Sequence, residues 1–172
     1  IGWDYVLSVT HTEVQYFLTL AKRIGIQWSF TVRELGQIRH VLAYRDMGLV
    51  QDPLFFKITM SEKHLWGVPP SIEGLKLLTQ GIIPAEVAYR WMLFVEGGSR
   101  NFVQLCRYAV ENGGHVRVGV GDTPLFDGRA STNAEQVAEI VEMARKAGRG
   151  VATPKETRVM LGRIQDDSAR RD

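Results

Sequence analysis

The apolar positions of the chain alternate between two spacings, one typical of strands and one typical of helices. Short apolar runs predict five strands, at 4–9, 26–32, 54–60, 89–95 and 115–120. Apolar residues three and four positions apart predict helices at 10–23, 35–47, 71–78, 101–110 and 133–146, with a last short helix after Pro154. This alternation is typical of βα units that build a parallel sheet.

Cap residues and glycines mark where several helices begin and end. Thr10 and Glu13 have the spacing of a capping box, and Gly25 and Gly48 are predicted to end the first and second helices. The buried faces of the first and the last long helix are predicted to carry Val14, Phe17, Leu18 and Ala21, and Val137, Ile140, Val141 and Ala144.

Two α/β architectures fit this order of elements: an open doubly wound sheet, or part of a (β/α)8 barrel. A complete TIM-type barrel needs about 250 residues, whereas this chain has 172. We therefore expect the C-terminal five or so βα units of such a barrel, with the N-terminal strands absent. Since neither a repeat nor a linker divides the chain, residues 1–164 are predicted to form one partial barrel domain and residues 165–172 a polar tail.

Composition narrows the function classes. Apolar residues make up 45% of the chain and charged residues 23%, as in globular domains. The net charge of +2 gives no electrostatic case for binding nucleic acid or an anionic membrane, and we find no apolar run near the roughly 20 residues of a membrane span. The single Cys106 excludes an internal disulfide framework, so a reduced, cytoplasmic setting is expected.

The last predicted strand carries charged groups toward its carboxyl end. By alternation, one face of it presents His115, Arg117, Gly119 and Gly121. A buried arginine is costly unless it is paired or faces a site, and Asp122 follows where α/β folds place their chemistry. Arg117 and Asp122 are therefore candidate catalytic residues that would hold an anionic substrate and remove a proton. The alternative is an Arg–Asp pair that only closes the strand end.

A second candidate site follows the strand at 89–95. Gly97, Gly98 and Ser99 lie between a strand and a helix, where free backbone N–H groups could hold a phosphate, and Arg100 would add a positive charge. The alternative is a plain tight turn. The four histidines show neither a His-x-His nor a His-x3-His pair, so the spacing predicts no zinc site built by this chain alone.

Several segments in order carry a family signature: 113–122 (GGHVRVGVGD), 132–137 (TNAEQV), 148–154 (GRGVATP) and 158–162 (RVMLG). They resemble the beta-keto acid cleavage enzymes of the 3-keto-5-aminohexanoate cleavage type. The resemblance implies strands four to eight of a (β/α)8 fold and a zinc enzyme, whose metal polarises the oxygens of the keto acid. It also implies condensation of a beta-keto acid with acetyl-CoA to give acetoacetate and a new acyl-CoA. By motif position, Arg117 matches the arginine that orders the acid–base group, and Asp122 matches the aspartate base.

The chain departs from this family pattern at the metal. The family's His-x-His ligands belong to a second strand that the chain lacks, and Gly121 stands where the family has a glutamate ligand. The acidic residue expected near the end of strand five falls on Thr31, or on the nearby Glu34. We therefore assign no metal ligand to this chain, and expect the metal-binding set to be damaged or completed differently.

Five barrel strands alone would leave two open edges and an uncovered inner face. We therefore expect the chain, which begins at Ile1, to be a piece of a longer polypeptide, a homo-oligomer, or a partner of the missing N-terminal part. The leading hypothesis is an enzyme acting on a small beta-keto acid and acetyl-CoA. The alternatives are a non-catalytic module that binds CoA or an anion at 97–100 without the metal, and a folding fragment of an enzyme.

Overall fold

A computed structural model describes residues 8–65 and 67–163 of the chain. The helices and strands of these residues, in order, are α1 (His11–Ile24), β1 (Phe30–Val32), α2 (Leu35–Asp46), β2 (Leu54–Ser61), α3 (Ile72–Gln80), β3 (Tyr89–Glu96), α4 (Phe102–Glu111), β4 (His115–Val116), a hairpin of β5 (Leu125–Phe126) and β6 (Arg129–Ala130), α5 (Asn133–Lys146) and α6 (Pro154–Met160). The strand predicted at 4–9 lies largely outside the described residues, and the tail at 165–172 lies wholly outside them.

The strands of the main sheet follow one another in chain order. β1, β2, β3 and β4 form a four-stranded sheet in the order β1-β2-β3-β4, and every neighbouring pair is parallel. Because parallel crossovers are right-handed, an order without reversal places the connecting helices on one face. A doubly wound sheet instead reverses its strand order. The fold is therefore α/β with a parallel four-stranded sheet that is consistent with part of a TIM-type barrel, and the described strands show no reversal of the kind that a doubly wound sheet contains.

The hydrophobic core lies between the helices and one face of this sheet. The strand residues that join it alternate, as a pleated strand requires, and include Leu54, Phe56, Ile58, Met60, Trp91, Leu93 and Val95. Ile38 of α2, Leu75 of α3 and Leu105 of α4 pack into the same cluster and are fully buried. Phe94 has the opposite parity and, although buried, stays outside the cluster. It belongs to the other face of the sheet.

The helix ends agree closely with the sequence. The capping box of Thr10 and Glu13 is present at the start of α1, which ends at Gly25 with a φ of 71°. Thr132 caps α5 in the same way, through Glu135. Because each box satisfies N–H groups that would otherwise have no partner, the start of these helices is fixed by local chemistry.

Several predictions about the elements are wrong in detail. β1 covers Phe30–Val32 rather than 26–32. β4 pairs over two residues rather than six, because the chain turns away from the sheet at Gly119, whose carbonyl accepts hydrogen bonds from the N–H groups of Asp122 and Thr123. Phe17 and Val137, predicted to be buried, are each 50% exposed, whereas the polar Gln136 is buried. The hairpin of β5 and β6 was not predicted, nor was its turn, in which Asp127 and Gly128 both have positive φ.

The amino ends of the strands are held together by contacts with backbone carbonyls. The Arg149 guanidinium donates to the carbonyls of Val110 and Gly114, both at 2.6 Å. Gln27 donates in the same way to the carbonyl of Leu161, beyond the end of α6.

In the part of the chain that the structure describes, we find no helix with the length and hydropathy needed to cross a bilayer.

Candidate active site

The carboxyl ends of the four parallel strands meet at one edge of the sheet, and polar residues follow each of them. Arg33 follows β1, the segment 61–64 begins at the end of β2, the segment 96–100 at the end of β3, and the segment 117–122 follows β4. Parallel α/β folds place their chemistry at this edge because the loops there converge. We call it the carboxyl edge.

Arg117 and Asp122 form a bidentate ion pair at this edge. The Arg117 Nε lies 2.9 Å from Oδ2 of Asp122, and Nη2 lies 3.0 Å from Oδ1. The guanidinium carbon also lies 4.4 Å from the centre of the Phe94 ring, so a cation–π contact fixes the plane of the group. The arginine side chain is 45% exposed and the aspartate 20%. The pair is therefore oriented from two sides and still open to a ligand.

Hydrogen bonds to β3 and α5 hold the turn that carries Asp122. Thr123, which is buried, donates its hydroxyl to the carbonyl of Val95 at 2.8 Å. The buried Gln136 amide donates to the Thr123 carbonyl at 2.8 Å. Asn133, at the start of α5, accepts from the N–H of Val120 at 2.9 Å. These contacts explain why a polar residue, Gln136, replaces the predicted apolar residues as the most buried position of α5.

The two sites predicted from the sequence lie side by side. The N–H of Gly97 donates to the carbonyl of Asp122 at 2.8 Å, which joins the loop after β3 to the turn after β4. Gly97 and Gly98 have φ angles of 81° and 80°, a region that favours glycine. A Cβ atom on Gly97 would also lie 3.3 Å from the Cβ of Lys63. The glycines thus let the loop pass close to both neighbouring segments.

A carboxylate of the protein already binds the loop where an anion was predicted. Glu62 Oε1 accepts from the Ser99 hydroxyl at 2.6 Å and from the Arg100 N–H at 3.2 Å. The Asn101 N–H donates to Ser99 Oγ at 3.1 Å. The donors predicted to hold a phosphate are therefore arranged around a carboxylate. Glu62 could not be found from the sequence, because its place beside Ser99 depends on the pairing of β2 with β3.

A histidine and a glutamate meet between the ends of β2 and β3. His64 Nε2 lies 3.5 Å from Glu96 Oε1, and the two side chains are 13% and 37% exposed. The hydroxyl of Ser61 donates to the Glu96 carbonyl at 2.9 Å and accepts from the N–H groups of Lys63 and His64, both at 3.1 Å. Burial lowers the pKa of Arg33, and the electrostatic interaction with Glu96 acts in the opposite direction.

Other reactive groups do not belong to this edge. Cys106 is buried among the apolar residues of α4, and burial raises the pKa of its thiol to about 12. It is therefore protonated at neutral pH and inert as a nucleophile. His115 is half-buried near the amino ends of the strands, and its pKa is lowered by burial first, then by Arg149 and Arg90. A cavity of about 330 Å³ lined in part by Gln27 also lies at the amino ends of the strands, away from the carboxyl edge.

The donor set at the carboxyl edge does not fit a zinc ion. Within residues 8–65 and 67–163 we find no group of three or more His, Cys, Asp or Glu side chains that could hold a metal. Gly121 offers no ligand, and both oxygens of the Asp122 carboxylate face Arg117. Thr31 lies within β1, and Glu34 is exposed at the start of α2. The described residues of the carboxyl edge therefore supply no complete set of zinc ligands.

Comparison with known proteins assigns the chain to a family. The family model described as beta-keto acid cleavage enzyme matches residues 2–162. The chain belongs to the beta-keto acid cleavage enzyme family.

The curated relatives agree with this assignment. The 3-keto-5-aminohexanoate cleavage enzyme of Fusobacterium nucleatum is 28% identical over 93% of this chain and 56% of its own length. The protein of the same name from Acetoanaerobium sticklandii is 29% identical over 94% and 57%. The 3,5-dioxohexanoate:acetyl-CoA acetone transferase of Paraburkholderia graminis is 25% identical over 92% and 51%. The chain thus spans a little over half the length of these relatives.

Proposed function

We propose that the protein acts in the cleavage of a small beta-keto acid with acetyl-CoA, giving acetoacetate and a new acyl-CoA. The observation that carries this proposal is the oriented, solvent-accessible pair of Arg117 and Asp122 at the carboxyl edge of a family member. The names of the relatives support the substrate classes, since they include a keto acid cleavage enzyme and an acetyl-CoA acetone transferase. Because the chain spans about half of these relatives, we infer that the remaining barrel strands come from a preceding segment or a second chain.

Arg117 would bind the carboxylate of the keto acid. A guanidinium has five N–H donors, and Asp122 uses two of them. The donors on Nη1 stay available for a second carboxylate in the same plane, and the contact with Phe94 keeps that plane fixed. Arg117 would thus bring the methylene group of the keto acid next to the carboxylate of Asp122.

Asp122 would transfer the proton that makes the keto acid a carbon nucleophile. Its carboxylate takes a proton from the methylene carbon, and this carbon forms a bond to the acetyl carbonyl as the CoA thiolate leaves. The thiolate then attacks the original keto carbon, and the carbon–carbon bond breaks. The proton returns from Asp122 to the acetoacetate carbanion, so that atoms and charges balance. The family resemblance also implies zinc, which the described residues do not hold.

The test is turnover by the full chain, together with any partner that completes the barrel. Acetyl-CoA, a panel of beta-keto acids and zinc are supplied, and acetoacetate is measured. Asp122→Asn should lower kcat by about 10²–10⁴-fold, the usual contribution of a positioned acid–base group. It should also leave the fold intact, which circular dichroism checks. No acetoacetate from any keto acid in the panel would refute the proposal.

The second candidate is a non-catalytic module that binds CoA or another anion at residues 97–100. Gly121, which lacks the metal-binding side chain, favours it. Calorimetry separates the two candidates, since binding of CoA without zinc binding and without acetoacetate formation would support the module.

A further inference from the structure

We propose that His64, paired with Glu96, is a second acid–base group of the carboxyl edge, distinct from Asp122. The inference rests on the proposed function. It starts from geometry, since His64 Nε2 and Glu96 Oε1 lie 3.5 Å apart in the loops that follow β2 and β3. Histidine is the side chain most often used to give and take protons in catalysis, and a neighbouring carboxylate orients its ring.

A three-way contact of Ser61 builds this position. Its hydroxyl donates to the backbone of Glu96 and accepts from the backbones of Lys63 and His64. The backbones of both members of the pair are therefore hydrogen-bonded to one side chain at the end of β2. A surface histidine needs no such arrangement, and His40, for example, is exposed on α2. Ser61 is thus a positioning residue.

The pair also lies next to the candidate catalytic turn. Glu96 directly precedes Gly97, whose N–H donates to the carbonyl of Asp122. Arg33, which follows β1, interacts electrostatically with Glu96, and Lys63 belongs to the same loop as His64. The proposed reaction has a second group that gains and loses charge, the CoA sulfur. His64 would give a proton to the leaving thiolate and take it back as the thiol attacks, so the proton balance is unchanged.

The experiment compares His64→Gln, His64→Ala, Ser61→Ala and the control His40→Gln in the acetoacetate assay. His64→Gln should lower kcat about 10²-fold, and added imidazole should restore part of the activity of His64→Ala but none of that lost in Asp122→Asn. Ser61→Ala should lower kcat several-fold and change its pH profile, whereas His40→Gln should match the wild type. A wild-type kcat in His64→Gln, or no rescue by imidazole, would overturn the inference while the proposed function stands.

A second measurement tests the position of His64 separately from the proposed reaction. Histidine ring resonances are recorded by NMR, with that of His64 assigned through His64→Gln. The His64 resonance should shift when acetyl-CoA is added, and that of His40 should not. An unmoved His64 resonance would overturn the proposed position of His64 whether or not the protein makes acetoacetate. If the resonance shifts but no acetoacetate forms, the reaction is wrong, and the acid–base role falls with it.

Discussion

The two ends of the parallel sheet use similar charged residues in different ways. At the amino ends, Arg149 donates to two backbone carbonyls that lie at the end of α4 and just before β4. At the carboxyl ends, Arg117 donates to a carboxylate and keeps N–H groups directed to solvent. A guanidinium that binds carbonyls joins pieces of backbone, whereas one that binds a carboxylate forms a pair that a ligand can enter. The amino ends therefore provide stability, and the carboxyl ends hold the residues to which we assign the proposed chemistry.

The largest expected effect is a separation of activity from stability between these two arginines. Arg117→Ala should lower turnover by about 10²-fold or more, while the free energy of unfolding changes by about 0–1 kcal/mol, as for exposed ion pairs. Arg149→Ala should lower the free energy of unfolding by about 1–3 kcal/mol, because it leaves two carbonyls without their donor. Urea denaturation and the acetoacetate assay measure the two quantities. Equal loss of activity per folded molecule in both variants would contradict the comparison.

The second prediction concerns one glycine from each end. A Cβ on Gly114 would lie 2.5 Å from the Trp91 ring, which is only 6% exposed and cannot move away freely. Gly114→Ala should therefore lower the free energy of unfolding by about 1–3 kcal/mol through overpacking. The matched change Gly121→Ala meets no atom within 4 Å and should stay within about 0.5 kcal/mol of the wild type. Thermal denaturation of both variants is the measurement, and similar melting temperatures would count against a rigid amino end.

These contrasts also show which parts of the structure local sequence determines. β2 and β3 were predicted to within a residue because each is a mostly apolar run, one preceded by Pro53 and the other followed by Gly97. The length of β4 was not predicted correctly. Its valines favour a strand, whereas the turn at Gly119 depends on contacts with β3 and α5. The hairpin did have a local signal, the dipeptide Asp127-Gly128, which favours a two-residue turn.

The candidate site divides in the same way. Arg117 and Asp122 are five residues apart, so a strand end was enough to predict that they meet. Glu62 meets Ser99, and His64 meets Glu96, only because β2 and β3 pair in parallel with Ser61 opposite Glu96. No spacing within either segment predicts that register. Pairs within one loop could therefore be found from the sequence, and pairs between loops could not.

A third prediction tests whether the loop after β3 binds an anion. In the structure the carboxylate of Glu62 accepts hydrogen bonds from the Ser99 hydroxyl and the Arg100 N–H. A phosphate or carboxylate ligand would therefore have to displace Glu62 from these donors. Glu62→Gln keeps the shape but removes the competing charge. It should tighten binding of CoA roughly three- to tenfold, about 1 kcal/mol for partly exposed charge-assisted bonds. Calorimetry gives the Kd, with the exposed Glu86→Gln as control. Unchanged or weaker binding would mean that Glu62 only closes a turn.

The smallest expected effect is a pH dependence of stability that comes from the amino ends. The pKa of His115 in the folded chain is lowered from its ordinary value of 6.5, chiefly by burial and further by Arg149 and Arg90. As the pH falls through 6.5, the unfolded chain therefore binds a proton before the folded chain does. The stability contributed by neutral His115 is fully present above this pH and is lost as the pH falls toward the folded-state value.

Replacing the histidine should remove this term. The free energy of unfolding of His115→Gln, measured by urea denaturation at several pH values, should decline less steeply below pH 6.5 than that of the wild type. The control is His40→Gln, a change at an exposed position of α2, and it should keep the wild-type slope. An unchanged slope in His115→Gln would show that water and counter-ions reach the amino ends of the strands, which would weaken the contrast with the open carboxyl edge.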